Sequence, residues 1–242
     1  MRLMAFRKRL FDKYIERGEI AMKHIVVDLE MNNIRRRSEA RKICTNEIIE
    51  IGASMLDENL WEIGKFQIYV KPEYNDVIVP KISKLTGITN EMVANAPTFS
   101  VAFKQFTDWC LNIKDDVMIY AWSNTDHSQV MKEIQLKQYK LSEEEHKLME
   151  HGWTDFQNEF DIHLGFERQI SLKLALDMAG IDFNGRQHDA LDDARNTAKL
   201  LRVFKDEELF DQTLRKIEEV MKPSSLENTL GNLIDLSMFM TT

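Results

Sequence analysis

The chain has 242 residues, 43% hydrophobic and 30% charged, with a formal net charge of −8. That is enough for one sizeable core and a small appendage, and no apolar run approaches the ~18 residues a membrane span needs. The negative balance excludes a protein that coats long nucleic acid by charge alone, but not one that grips a few nucleotides.

Residues 4–16 predict a short basic amphipathic helix that Arg17-Gly18 ends. Residues 1–22 read as a basic helical arm: residues 1–23 carry seven Lys/Arg against three Asp/Glu, so the remainder is −12. Arg17-Gly18-Glu19 can be encoded by a purine-rich run resembling a bacterial ribosome-binding site, and Met22 stands two residues before the first strand. Translation from Met22 is one expectation; an arm that docks on the acidic core or helps hold nucleic acid is the other.

The first strand is expected at 24–30, H-I-V-V-D-L-E, a run apolar enough to be buried on both faces. Ending it in Asp28 and Glu30 is costly unless something cationic meets them. A divalent metal held by oxygen ligands is the usual solution. R-R-R-S-E-A-R-K at 35–42 then has five basic residues against one acidic. Arg35, Arg36 and Arg37 form either a solvated loop or one that holds phosphate.

Strands at 47–56 and 62–70, joined at Asp57-Glu58-Asn59, predict an antiparallel hairpin. Residues 84–93 read as a loop leading into a short helix capped by Asn90. A helix at 99–113 and a strand at 116–121 follow, then a helix from about 126. Asp126 thus lies at a strand-to-helix turn, a usual catalytic position in an α/β sheet, with an ordinary helix cap as the competing reading. A charged segment at 141–150, a short strand near Trp153 and helices at 171–179 and 189–204 complete the core. This order matches an α/β fold with a mixed sheet flanked by helices.

In H-D-A-L-D-D-A-R-N-T-A, His188 precedes a helix and Asp193 lies in its first turns. Asp193 shares a face with Thr197, Leu200 and Phe204, which points inward; Asp192 shares one with Arg195, Asn196, Lys199 and Arg202, which points to solvent. An inward carboxylate needs a partner, so Asp193 is a ligand candidate, with a structural salt bridge as the alternative. Carboxylates for metal beside a histidine base suggest metal-assisted hydrolysis.

Residues 205–242 predict two more helices. Leu209, Phe210, Leu214, Ile217, Val220 and Met221 form an apolar stripe. After Pro223, Ser224 and Glu227 make a capping box for a helix carrying Leu226, Leu230, Leu233 and Ile234. These helices pack on the core or form a homodimer surface. Cys44 and Cys110 cannot build a disulfide framework, and no signal peptide is evident, so a cytoplasmic location is expected.

In order and context, Asp28-x-Glu30, Asp126, and His188 with Asp193 resemble the DEDDh 3′–5′ exonucleases, of ribonuclease-H-like fold. E-I-I-E-I-G-A, Y-V-K-P-E-Y-N, L-T-G-I-T and G-I-D-F-N-G-R-Q-H-D-A-L-D-D-A resemble the enhanced-RNAi, histone-mRNA exonuclease-like branch, over about residues 23–204. Two departures stand out: no SAP-type nucleic-acid-binding module precedes that stretch, and the last 38 residues carry no recognised motif. The resemblance implies a five-stranded mixed sheet, with an exonuclease domain at 23–204 between the arm and a 205–242 extension. It also implies two Mg²⁺ or Mn²⁺ ions on Asp28, Glu30, Asp126 and Asp193, His188 as the base for the attacking water, and release of 5′-mononucleotides. Leu85, Thr86, Gly87 and Ile88 resemble the family's loop that lines the terminal-nucleotide site, with Thr86 or backbone near Gly87 sensing the ribose 2′-OH; Met31, next to the acidic pair, is a candidate to pack on a base, and simple core packing is the competing reading for Met31 and Ile88. The implied partner is a single-stranded 3′ end, RNA favoured, with no membrane involved. A DNA exonuclease and a non-catalytic binding module of the same fold are the competing readings.

Overall fold

A computed structural model describes residues 22–113, 115–151 and 153–221 of the chain. The arm expected before Met22, and the capping box and last helix expected after Pro223, lie outside the described residues.

The Val/Ile-rich first run forms β1 (Met22–Asn33), longer at both ends than its apolar stretch. β1 pairs antiparallel with β2 (Asn46–Leu56) and parallel with β4 (Asp116–Ala121). β3 (Glu62–Tyr69) adds antiparallel to β2, and β5 (Trp153–Asp155) adds parallel to β4. The result is a mixed five-stranded sheet of order β3-β2-β1-β4-β5, flanked by helices. The strand order reverses between β1 and β4, and the crevice beyond their carboxyl ends is where such sheets bind ligands.

Several helices differ from expectation. The loop expected from residue 84 is largely helical: α1 (Pro80–Thr86) opens on a proline at its first position. In α2 (Asn90–Ala94) the cap is Thr89; Asn90 instead accepts the Ile78 N–H at 2.8 Å. α3 (Phe99–Leu111) stops two residues early, and α4 (Asn124–Leu136) starts two early on a Ser123 cap. The charged segment is α5 (Glu143–His151). α6 (Phe156–Leu164) was not anticipated, although Asp155 caps it, Gly165 ends it at φ +83, and Phe156, Phe160 and Leu164 form one fully buried stripe. α7 (Leu172–Met178), α8 (Ala190–Lys205), α9 (Glu207–Thr213) and α10 (Arg215–Met221) follow.

Alternation along β1 divides the core. Ile25, Val27 and Leu29 pack with Phe99, Phe103 and Phe106 of α3. Val26 faces the opposite layer, with Phe156, Phe160, Leu200 and Leu201. Asp28 and Glu30 continue the face of Val26, toward α8. Phe210 and Leu214 are buried in this second layer and Ile217 packs against it, so the described part of the extension lies on the core.

Candidate metal centre and active site

Four carboxylates converge at the carboxyl ends of β1 and β4. Asp28 and Glu30 come from β1, where the pairing with β2 shifts register between Glu30 and Met31. Such bulges re-aim side chains beside functional sites. Asp126 sits in the first turn of α4, where it accepts the Leu29 backbone N–H and its own. Asp193 comes from the first turn of α8 and is largely buried. α8 can approach because Gly52, opposite Asp28 in β2, has no side chain: a Cβ there would overlap the backbone of Ala190 and Leu191.

His188 is exposed and holds a left-handed φ of +62, sparsely populated for a residue with a Cβ. Its N–H donates to Asp193 Oδ2 at 2.9 Å, which pins the strained turn. Glu30, Asp193 and His188 each bring one potential ligand atom, all within 4.8 Å of one another.

The electrostatics are those of an uncompensated acid cluster. Burial and the Asp126 and Asp193 carboxylates push Asp28 well above the usual carboxylate range. Burial, then Asp193, pushes Glu30 up to about 8; burial dominates at Asp126 and Asp193, raised to about 7 and about 6. No Lys or Arg among the described residues forms an ion pair with any of the four. Hard oxygen donors that no described cation neutralises fit a divalent metal.

A pH dependence follows. Each raised carboxyl favours the protonated folded state, so its stabilising effect is full below the unfolded value near 4 and is lost as pH rises through about 6 to 8. With a chelator present, the melting temperature is expected to fall between pH 5.5 and pH 8.5; saturating Mn²⁺ should flatten the fall. A rising curve in chelator would contradict the arrangement.

Sequence reasoning missed Glu50, Gln67 and Asp189. Glu50, 1% exposed and opposite Glu30, accepts the Ala190 N–H at 3.2 Å and the Gln67 amide at 2.8 Å. Burial pushes it up to about 7. Asp189 caps α8 through the Asp192 N–H. The available signal was a second acid, Glu50, inside the apolar run E-I-I-E-I-G-A.

Asp192 is not the free surface residue expected. Its Oδ2 accepts the Arg186 N–H at 2.7 Å, its carboxylate lies over Gly185, and Asn196, assigned to the same solvent face, is 0% exposed. The loop before His188 folds back over the Asp192 and Asn196 end of this face. Asp192→Ala is therefore expected to lose about 1 kcal/mol of stability with the hydrogen bond, and severalfold in turnover by loosening His188. Unchanged turnover and melting would restore the solvent-face reading.

The residues expected around a terminal nucleotide are placed unequally. Ile88 is 1% exposed among Ile49, Ile78 and Val93. Thr86 is buried, its hydroxyl donating to Ile82 O and accepting the Ile88 N–H, each at 3.0 Å. Met31 packs partly buried against the main core. Leu85 is exposed, and Gly87 takes φ +74, where a Cβ would overlap the Arg186 guanidinium. Arg186 Nη2 donates to Leu85 O at 3.2 Å, joining this turn to the His188 loop. In the basic loop, Arg35 pairs with Asp76, whereas Arg36 and Arg37 are exposed and make no ion pair among the described residues.

The family model described as Exonuclease matches residues 25–201. Human 3′-5′ exoribonuclease 1 is 32% identical over 165 residues, covering 66% of this chain and 47% of that protein. The chain thus spans about half the length of that curated relative, and a quarter of others. Among solved structures, the nuclease domain of 3′hExo, a DEDDh family member, bound to rAMP, superposes with a TM-score of 0.65 at 26% identity, covering 76% of this chain and 92% of that one. The structure of a 3′-exonuclease in 3′-end specific recognition of the histone mRNA stem-loop gives 0.67 at 25% identity, covering 78% and 84%.

Proposed function

Because the chain belongs to the exonuclease family, in its DEDDh, histone-mRNA exonuclease-like branch, we propose that it is a 3′–5′ exonuclease releasing 5′-mononucleotides from single-stranded RNA ends. The observation that carries this reading is the convergence of four uncompensated carboxylates with a histidine held in a strained turn.

Asp28, Glu30, Asp126 and Asp193 would hold two divalent ions, Mg²⁺ or Mn²⁺. When bound, these supply charge neutralisation and Lewis-acid polarisation at the scissile phosphate. His188, on the exposed side of the cluster, takes the proton from the attacking water. Asp193 acts twice, as carboxylate ligand and as the acceptor that holds the His188 backbone. Leu85 and the backbone at Gly87 are the accessible part of the terminal-nucleotide turn. With Thr86 hydrogen-bonded within its own turn, sensing of a 2′-OH falls to backbone near Gly87. Arg36 and Arg37 are free to meet phosphates.

RNA is favoured because the curated relatives that match over about two thirds of this chain are exoribonucleases. A homodimer through the terminal helices would use residues after Met221, since Phe210 and Leu214 are turned into the core. No described helix is long and apolar enough to cross a membrane, and Cys44 and Cys110 are free and buried, in keeping with a cytoplasmic setting.

The test is degradation of 5′-labelled RNA and DNA oligomers of one sequence at equal Mg²⁺ and salt. RNA should shorten stepwise from the 3′ end, faster than DNA, and stall at duplex. DNA cut equally fast or faster would sink the RNA assignment; internal fragments would sink the exonuclease reading.

A further inference from the structure

The acid cluster repels the strand it cuts, so grip on the substrate must come from elsewhere. A seam between α8 and β3 leads away from the cluster. Its first rung is Gln67 against Asp189 at 3.4 Å, and its second is Arg195 clamped on Glu62 at 2.7 and 2.9 Å. The third is Arg202, whose guanidinium lies 3.4 Å from the centre of the Trp61 ring. Glu62 is opposite Leu56, which in turn is opposite His24. The Glu62 rung is thus six strand residues, or ~20 Å, along the sheet from Glu30, and the Trp61 rung follows it.

At that end the seam widens into a groove of about 370 Å³, floored by Leu56, Leu60, Ile181 and Val203 and flanked by Lys199 and Arg202. Trp61 is 56% exposed at its edge. Neither Lys199 nor Arg202 makes an ion pair among the described residues, whereas Arg195 beside them is neutralised by Glu62. Burial and Arg195 lower the Lys199 ammonium from its ordinary range, the condition a bound anion would relieve.

We propose that this groove is a second nucleotide-binding subsite, which holds the 5′-ward part of the single strand whose 3′ end lies at the acid cluster. A base packs on the apolar floor and on the face of Trp61 that Arg202 leaves open, and the adjoining phosphates meet Lys199 and Arg202. Cations interleaved with an exposed aromatic are what sequence-tolerant single-strand binding requires. Charge complementarity and continuity with the catalytic end through α8 favour a nucleic-acid strand as occupant. The inference rests on the exonuclease reading for its substrate.

The test uses the full chain carrying Asp28→Asn to prevent cleavage, with fluorescence anisotropy of single-stranded oligouridylates of about 4 and about 15 nucleotides. Trp61→Ala should weaken the longer strand roughly tenfold and the shorter by less than about twofold, and Trp61→Phe should recover most of the loss. Lys199→Ala with Arg202→Ala should reduce the salt slope for the longer strand by about 1.4, two phosphate contacts' worth. Melting curves confirm that the variants fold. Equal losses at both lengths, or none, would overturn the subsite. Tight strand binding only after deletion of residues 222–242 would make the chain's own terminus the occupant and overturn it. So would loss of self-association in Trp61→Ala, which would make the occupant a second copy. Cleavage by the chain with Asp28 intact is followed in parallel. Length-dependent binding without any cleavage would uphold this surface and overturn the exonuclease reading instead.

Discussion

Replacing Asp28 with asparagine is expected to abolish hydrolysis and, in the same protein, to raise the melting temperature of the metal-free form. Both effects have one cause. Asp28 is crowded by Asp126, Asp193 and Glu30 with no Lys or Arg paired to it among the described residues, and its carboxyl is pushed well above the ordinary range. Asparagine keeps the shape and removes the charge that the folded state tolerates poorly. Bound divalent ions reverse the balance, because the carboxylate then becomes a ligand. Loss of one ligand from such a site removes several kcal/mol of transition-state stabilisation, about 10³-fold in rate or more. The readouts are turnover on a 5′-labelled oligomer with Mn²⁺, and melting in chelator at pH 8, where gains of a few degrees are expected. Wild-type activity would remove Asp28 from the site. A lower melting temperature in chelator would show that some cation already compensates the cluster.

His188→Ala is expected to lower turnover by roughly 10²–10⁴-fold, the usual worth of a general base, with metal affinity retained. The prediction is sharp because the ring also lies within reach of Glu30 and Asp193 as a third ligand. Backbone geometry separates the two roles. The Asp193 carboxylate is held by the His188 N–H, which alanine preserves, so the variant should keep the turn and lose only the imidazole. Calorimetry with Mn²⁺ decides: a loss of about tenfold or more in affinity would make His188 a ligand. Undiminished turnover would mean that another group activates the water.

Much of the site was legible in the chain itself. Strand alternation places Asp28 and Glu30 on one face, and their position after I-V-V puts them at the end of a buried strand. Helical periodicity turns Asp193 inward with Thr197 and Leu200, and these three are buried. The strand-to-helix turn around Asp126 likewise follows from V-M-I-Y-A leading into a capped helix. These readings succeed because each depends on the residue's relation to its own element.

What depends on a second element was decided only by the tertiary structure. Glu50 reads as one more acid in a strand until the Ala190 N–H, 140 residues away, meets its carboxylate. Gly52 becomes necessary only because α8 rests on it. Asp192 was assigned to solvent by periodicity, which says where a side chain points and not what folds over it; the Gly185–Arg186 turn does so. Thr86 and Ile88 lie in a motif whose resemblance suggests ligand contact, yet the hydroxyl is used within its turn and the isoleucine in the core. By itself, the sequence determined the strands, most of the helices and the placement of Asp28, Glu30, Asp126 and Asp193, because period and local chemistry are written in neighbouring residues. The helix approach, the clamp at its N-terminus and the groove at its far end arose from packing between segments distant in the chain.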